Sequence, residues 1–126
     1  MSKYVLLVLL GYFFRRSVAK LEVTKEDVLY FNHMRNSEKM GSSKRYYTIL
    51  HNKESEDYKR FINVYLKNKY VIPVREQIVL DSVYGVNGTP LKLKEVAEII
   101  EVTPERVRQL VHKSERKLTE FLRQKY

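Results

Sequence analysis

The sequence predicts a mainly α protein, with four helices over residues 54–126 ending in a helix-turn-helix and a basic segment of mixed character over 1–53. Three observations carry that expectation. Apolar residues in the second half recur at three- and four-residue spacing, the period of one helix face. Residues that start and stop helices stand at the right places: Ser55, Pro73, Gly85, Thr103 and Pro104. Two of the helices are also separated by a link of only three or four residues, as in a helix-turn-helix.

In chain order, the first element is "YVLLVLLGYFF", an eleven-residue apolar run from Tyr4 to Phe14. A bilayer span needs about 20 residues. Ser17-Val18-Ala19 resembles a signal cleavage site, but Arg15 and Arg16 stand between it and the apolar run. The β-branched and aromatic content suits a buried strand or packed helix, so a core element is expected here. A membrane or secretion role and a partner-binding surface are the alternatives. "VTKEDVLYFNHMR" predicts a short helix capped by Thr24, with Glu26 and Asp27 in its electropositive first turn. "NSEKMGSSK" has loop composition, "RYYTIL" (Arg45 to Leu50) predicts a strand pairing with the apolar run, and "HNKES" predicts a turn. Residues 1–53 therefore point to a small α/β unit.

From Ser55 the pattern sharpens. In "SEDYKRFINVYLKNKY", Tyr58, Phe61, Ile62, Tyr65 and Leu66 form one helical stripe behind a Ser55 cap. Pro73 opens "VREQIVLDSVYG", which Gly85 closes. "VNGTP" is a loop, "KEVAEIIE" a helix and "EVT" a turn. The last helix starts at Pro104, whose missing N–H costs nothing in a first turn, and Thr103 caps it.

Composition narrows the function. The formal charge is +9 and the pI 9.7, a balance that suits nucleic acid, an acidic protein surface or anionic lipid. Residues 1–70 hold 14 Lys/Arg against 7 Asp/Glu, a net of +7, while 71–126 hold 10 against 8, a net of +2. A DNA-reading surface in the second half must then rest on local arrangement. The absence of cysteine excludes disulfides, Cys-based zinc sites and thiol nucleophiles, and fits a cytoplasmic protein. His33, His51 and His112 lack metal-ligand spacing, so neither metal nor cofactor is expected. No Gly-rich phosphate loop, paired-carboxylate motif, nucleophile elbow or HExxH is present, and no enzyme is predicted.

Winding the last helix at about 100° per residue sorts its side chains. Val107, Leu110, Val111, Ser114, Leu118, Phe121 and Leu122 gather on one side. Glu105, Arg108, Gln109, His112 and Arg116 collect opposite, flanked by Arg106 and Lys113. Most such faces are simply solvated. Here, however, Arg and Gln are the side chains that pair with guanine and adenine edges, and Glu can accept from cytosine. They lie at the start of the second helix of the pair, the part that enters the major groove. On the preceding helix, small Ala97 lets the two helices approach, while Val102 and Val107 plug the space between them.

The string "IPVREQIVLDSVYGVNGTPLKLKEVAEIIEVTPERVRQLVHKSERKL" resembles region 4 of housekeeping-type bacterial sigma factors, and the likeness runs from about Glu54 to the C-terminus. Tyr84-Gly85-Val86 stands for the family's usual Phe-Gly-Leu, and "VTPERVRQL" for the start of its reading helix. The resemblance implies binding of double-stranded promoter DNA at a −35-like element, and docking on the β flap of RNA polymerase. By position it implies a DNA-binding set of Thr103, Glu105, Arg106, Arg108, Gln109, His112, Lys113 and Arg116. Glu105, Arg108 and Gln109 would meet bases, with Arg106 on phosphate. Tyr65, Ile78 and Val79 are the flap candidates.

Four positions depart from the family pattern. Pro104 replaces an Arg that usually reads a base, Glu101 a turn Gly, Lys92 a capping Thr, and Glu115 a Leu. Residues 1–53 also lack the pattern of sigma region 2. The expectation is one half of a split factor, a phage protein redirecting host polymerase, or an accessory regulator, with a second protein supplying the region 2 function. The competing expectation is a polymerase-binding protein that does not read sequence.

Overall fold

A computed structural model describes residues 22–36 and 44–126, which are mainly helical and contain no strand. The five α-helices among them are α1 (Lys25–Arg35), α2 (Glu56–Asn68), α3 (Val74–Tyr84), α4 (Leu93–Ile100) and α5 (Pro104–Lys125). The apolar run Tyr4–Phe14 lies outside the described residues. Among those described, no helix is long and apolar enough to cross a membrane.

The helix starts follow the expected chemistry. The Thr24 hydroxyl accepts the Asp27 N–H, and the Asp27 carboxylate accepts the Thr24 N–H, both at 3.1 Å. Ser55 accepts the Tyr58 N–H at 3.1 Å, and Thr103 accepts the Arg106 N–H at 3.1 Å. Lys92 has no acceptor to offer at the start of α4. Glu95 compensates in part by accepting the Lys92 N–H at 3.0 Å.

The strand expected over Arg45–Leu50 is not formed. Arg45–Thr48 is instead a single 3-10 turn, in which the Tyr47 and Ile49 N–H groups donate to the carbonyls of Lys44 and Tyr46. Local bonds satisfy this backbone, and the turn drives Tyr46 fully into the core while Tyr47 stays exposed. The β-like composition reflected large side chains seeking a packed surface, which helices also supply.

That surface is an aromatic hub. Phe31 of α1 stacks on Phe61 of α2 at 4.7 Å between ring centroids. Tyr84 at the end of α3 meets Tyr46, Phe61 and Tyr65 edge-on at 5.0–5.2 Å. Two of the hydroxyls carried into this region have acceptors: Tyr58 donates to the Tyr84 carbonyl at 3.0 Å, and Tyr65 to the Asp81 carboxylate at 2.6 Å. Lys69 closes on the same carboxylate at 2.9 Å. The expected 53/54 boundary falls in the turn before α2, and side chains from both sides of it share this one core.

Helices α3 and α4 end in the same way, with different residues. Gly85 (φ +70°) and Glu101 (φ +59°) are left-handed, and the next residues, Val86 and Val102, donate back to Asp81 and Ala97 at 2.9 and 3.0 Å. Only glycine fits at 85, because a Cβ there would lie 2.7 Å from the Pro90 ring. Glu101 carries a side chain in a conformation that costs an L-residue about 1 kcal/mol.

Candidate nucleic-acid interface

Helices α4 and α5 form the predicted pair. Val96 and Ala97 from α4 and Val107, Leu110 and Val111 from α5 are buried, with Val102 of the turn packed partly against them. This apolar seam sets the rotation of α5. The same rotation exposes Glu105, Arg106, Arg108, Gln109, His112, Lys113 and Arg116. With exposed Thr103, all eight residues of the predicted DNA-binding set therefore lie on one accessible surface. The electropositive start of α5 lies among them, with Thr103 as its cap.

Two of the predicted base readers hold each other. Arg108 grips Glu105 through two bonds, Nη2 to Oε1 at 2.6 Å and Nε to Oε2 at 3.0 Å. The bond from Arg108, and next its charge, hold the Glu105 carboxyl below the ordinary carboxylate range. Both side chains are well exposed, and exposed ion pairs contribute little, so a base edge can displace either partner cheaply. Arg106 reaches the Gln109 amide oxygen at 3.4 Å. Lys113 and Arg116 pair with no carboxylate among the described residues. Burial, followed by the charges of Lys44, Arg35, Arg116 and Arg108, depresses the His112 imidazole below its usual value.

The margin of the apolar flank of α5 holds a buried charge-bearing group. Glu115, which stands where the resembled family pattern has a Leu, is fully buried. It accepts a hydrogen bond from the Tyr84 hydroxyl, and Lys44 Nζ stands 3.9 Å from its other oxygen. Burial pushes the Glu115 carboxyl up, against the opposing pull of Tyr84 and Lys44. Burial and then the Glu115 charge push the Tyr84 and Tyr46 hydroxyls well above the ordinary phenol value. Tyr84 and Glu115 thus form a single buried hydrogen-bonded pair.

The predicted polymerase-docking set divides. Tyr65 and Val79 have 0% exposure, so neither can meet a partner without opening the core. Helix periodicity put them among the apolar residues of α2 and α3, but those residues face the aromatic hub. Ile78 is 45% exposed, and Val74, one turn before it, is 71% exposed. Tyr70 is also exposed, edge-on to Phe121 at 5.8 Å. The sequence did not single out Tyr70 and Val74 as exposed, because both stand at helix ends, where periodicity carries little signal. No group of three or more potential metal ligands occurs among the described residues.

Comparison with known proteins places this geometry. Residues 71–120, which span α3, α4 and most of α5, match the family model for Sigma-70, region 4, a DNA-binding helix-turn-helix domain of transcription factors. Neither the curated proteins nor the solved structures contain a match to the chain.

Proposed function

We propose that this chain, which carries a sigma-70 region 4 domain over residues 71–120, binds promoter DNA at a −35-like element and docks on RNA polymerase. The observation that carries the reading is the exposed face of α5, where Glu105, Arg108 and Gln109 stand at the helix start and Arg106, Lys113 and Arg116 beside them. Glu105, Arg108 and Gln109 meet base edges in the major groove; Arg106, Lys113 and Arg116 meet phosphates, which set register without reading sequence. Pro104 removes one base-reading side chain, so the preferred site differs from the family's usual hexamer. Polymerase contact falls on the exposed apolar residues Tyr70, Val74 and Ile78 rather than on Tyr65 or Val79.

The test is selection of bound duplexes from a random pool by the full chain, with co-purification of core polymerase alongside. Arg108→Ala and Gln109→Ala should each lose about 1–3 kcal/mol on the selected duplex and little on scrambled DNA. Equal losses on both duplexes would remove these residues' reading role. A second reading is a polymerase-binding protein that does not read sequence, favoured by Pro104 in place of a base-reading side chain. Polymerase capture without any selected duplex would establish it.

A further inference from the structure

The buried pair of Tyr84 and Glu115 points toward residues outside the region 4 match. Glu115 faces Lys44 at 3.9 Å, and Tyr46, two residues on, packs edge-on to Tyr84 at 5.2 Å between ring centroids. Helix α1 packs against α5, and its last residue, Arg35, is near enough for its charge to act on both Glu115 and Lys44. A buried carboxyl on the underside of α5 therefore anchors the turn that follows α1. Anchoring has a consequence for the outer surface. Glu115 sits at the margin between the two faces of α5, three residues and so about one turn beyond His112, and Lys44, which pairs with it, therefore lies near the exposed polar face. Lys44 keeps 20% of its side chain exposed, Arg35 is part-exposed, and both impose their charge on His112.

We propose that Arg35 and Lys44 form a basic ledge that continues the α5 face and contacts the phosphates flanking the bases read by that helix. The inference rests on the proposed DNA binding and extends it to residues that the region 4 match does not cover. It also accounts for the charge distribution. Residues 71–126 carry a net charge of only +2, while the surplus lies in the first 70 residues. Docking α1 and its following turn against α5 delivers part of that surplus to the groove edge.

Binding of a fluorescent selected duplex to the full chain, measured from low to moderate salt, tests the ledge. The Arg35→Gln/Lys44→Gln variant should weaken selected and scrambled duplexes about equally. Its log–log salt dependence should also be shallower by about 1–2. An unchanged slope with full wild-type binding overturns the ledge and leaves the reading by α5 standing. A wild-type chain that binds no duplex overturns that reading and the ledge with it. Should the double variant lose its circular dichroism signal, Asn36→Cys decides the matter. The native sequence has no cysteine, so an iron chelate attached there labels one site next to Arg35. Cleavage of the duplex beside the selected site is the expected result, and its absence from a bound complex overturns the ledge.

Discussion

The two faces of α5 carry similar residue types with opposite fates. On the outer face, Glu105 lies in solvent, clamped by an arginine three residues away, and its carboxyl is held below the ordinary range. On the inner face, Glu115 has no exposure, is held by a tyrosine hydroxyl from another helix, and has its carboxyl pushed up. The outer glutamate is free to exchange partners, whereas the inner one is committed. Availability for binding is therefore set by what surrounds a polar group rather than by its type. A surface pair is easily exchanged because water replaces each lost bond, but a buried group that loses its partner bears the full desolvation cost.

The largest perturbation should come from the inner face. Leu118→Ala empties space at a fully buried position and should cost about 2–5 kcal/mol in urea unfolding, with the duplex preference of the folded fraction unchanged. A shifted preference would mean that the two faces are not independent. Next in size is Tyr84→Phe, which strips the donor from a buried carboxyl and should cost about 1–3 kcal/mol. Adding Glu115→Leu to it removes both polar partners and should recover most of that loss, since an apolar pair of similar shape can be nearly neutral. A double variant as unstable as the sum of its parts would show that Tyr84 and Glu115 are not energetically coupled.

The same pair predicts a pH dependence. Burial raises Glu115 above the ordinary 4.5, so the native state binds this proton more tightly than the unfolded chain does. Its contribution is complete below that value and is lost as pH rises through the native one. Glu115→Gln should flatten that part of the profile of unfolding midpoint against pH, and a profile identical to wild type would count against the assignment. The smallest effect belongs to the turn between the two helices. Glu101→Gly relieves a left-handed residue and should stabilise the fold by up to about 1 kcal/mol, less the entropy glycine adds to the unfolded chain.

The sequence showed the helices and their ends most clearly. Ser55, Gly85, Thr103 and Pro104 act within one turn of their own positions, so their meaning survives without knowledge of the fold. The strand reading of Arg45–Leu50 failed because an isolated aromatic run does not disclose whether its partner is a strand or a helix bundle. The docking set failed in part for a related reason: Tyr65 and Val79 belong to apolar stripes, and a stripe marks the core more often than a binding surface.

By itself the sequence determined where α5 begins, how it is capped and which of its side chains point away from its apolar flank, because period and capping are properties of a single element. Only the tertiary structure decided that Glu115 is buried against Tyr84, that Lys44 closes on Glu115 from outside the matched region, and that Tyr65 and Val79 have no surface to offer. Those outcomes depend on several helices converging on one point, and burial at such a point is a joint property that no single segment encodes.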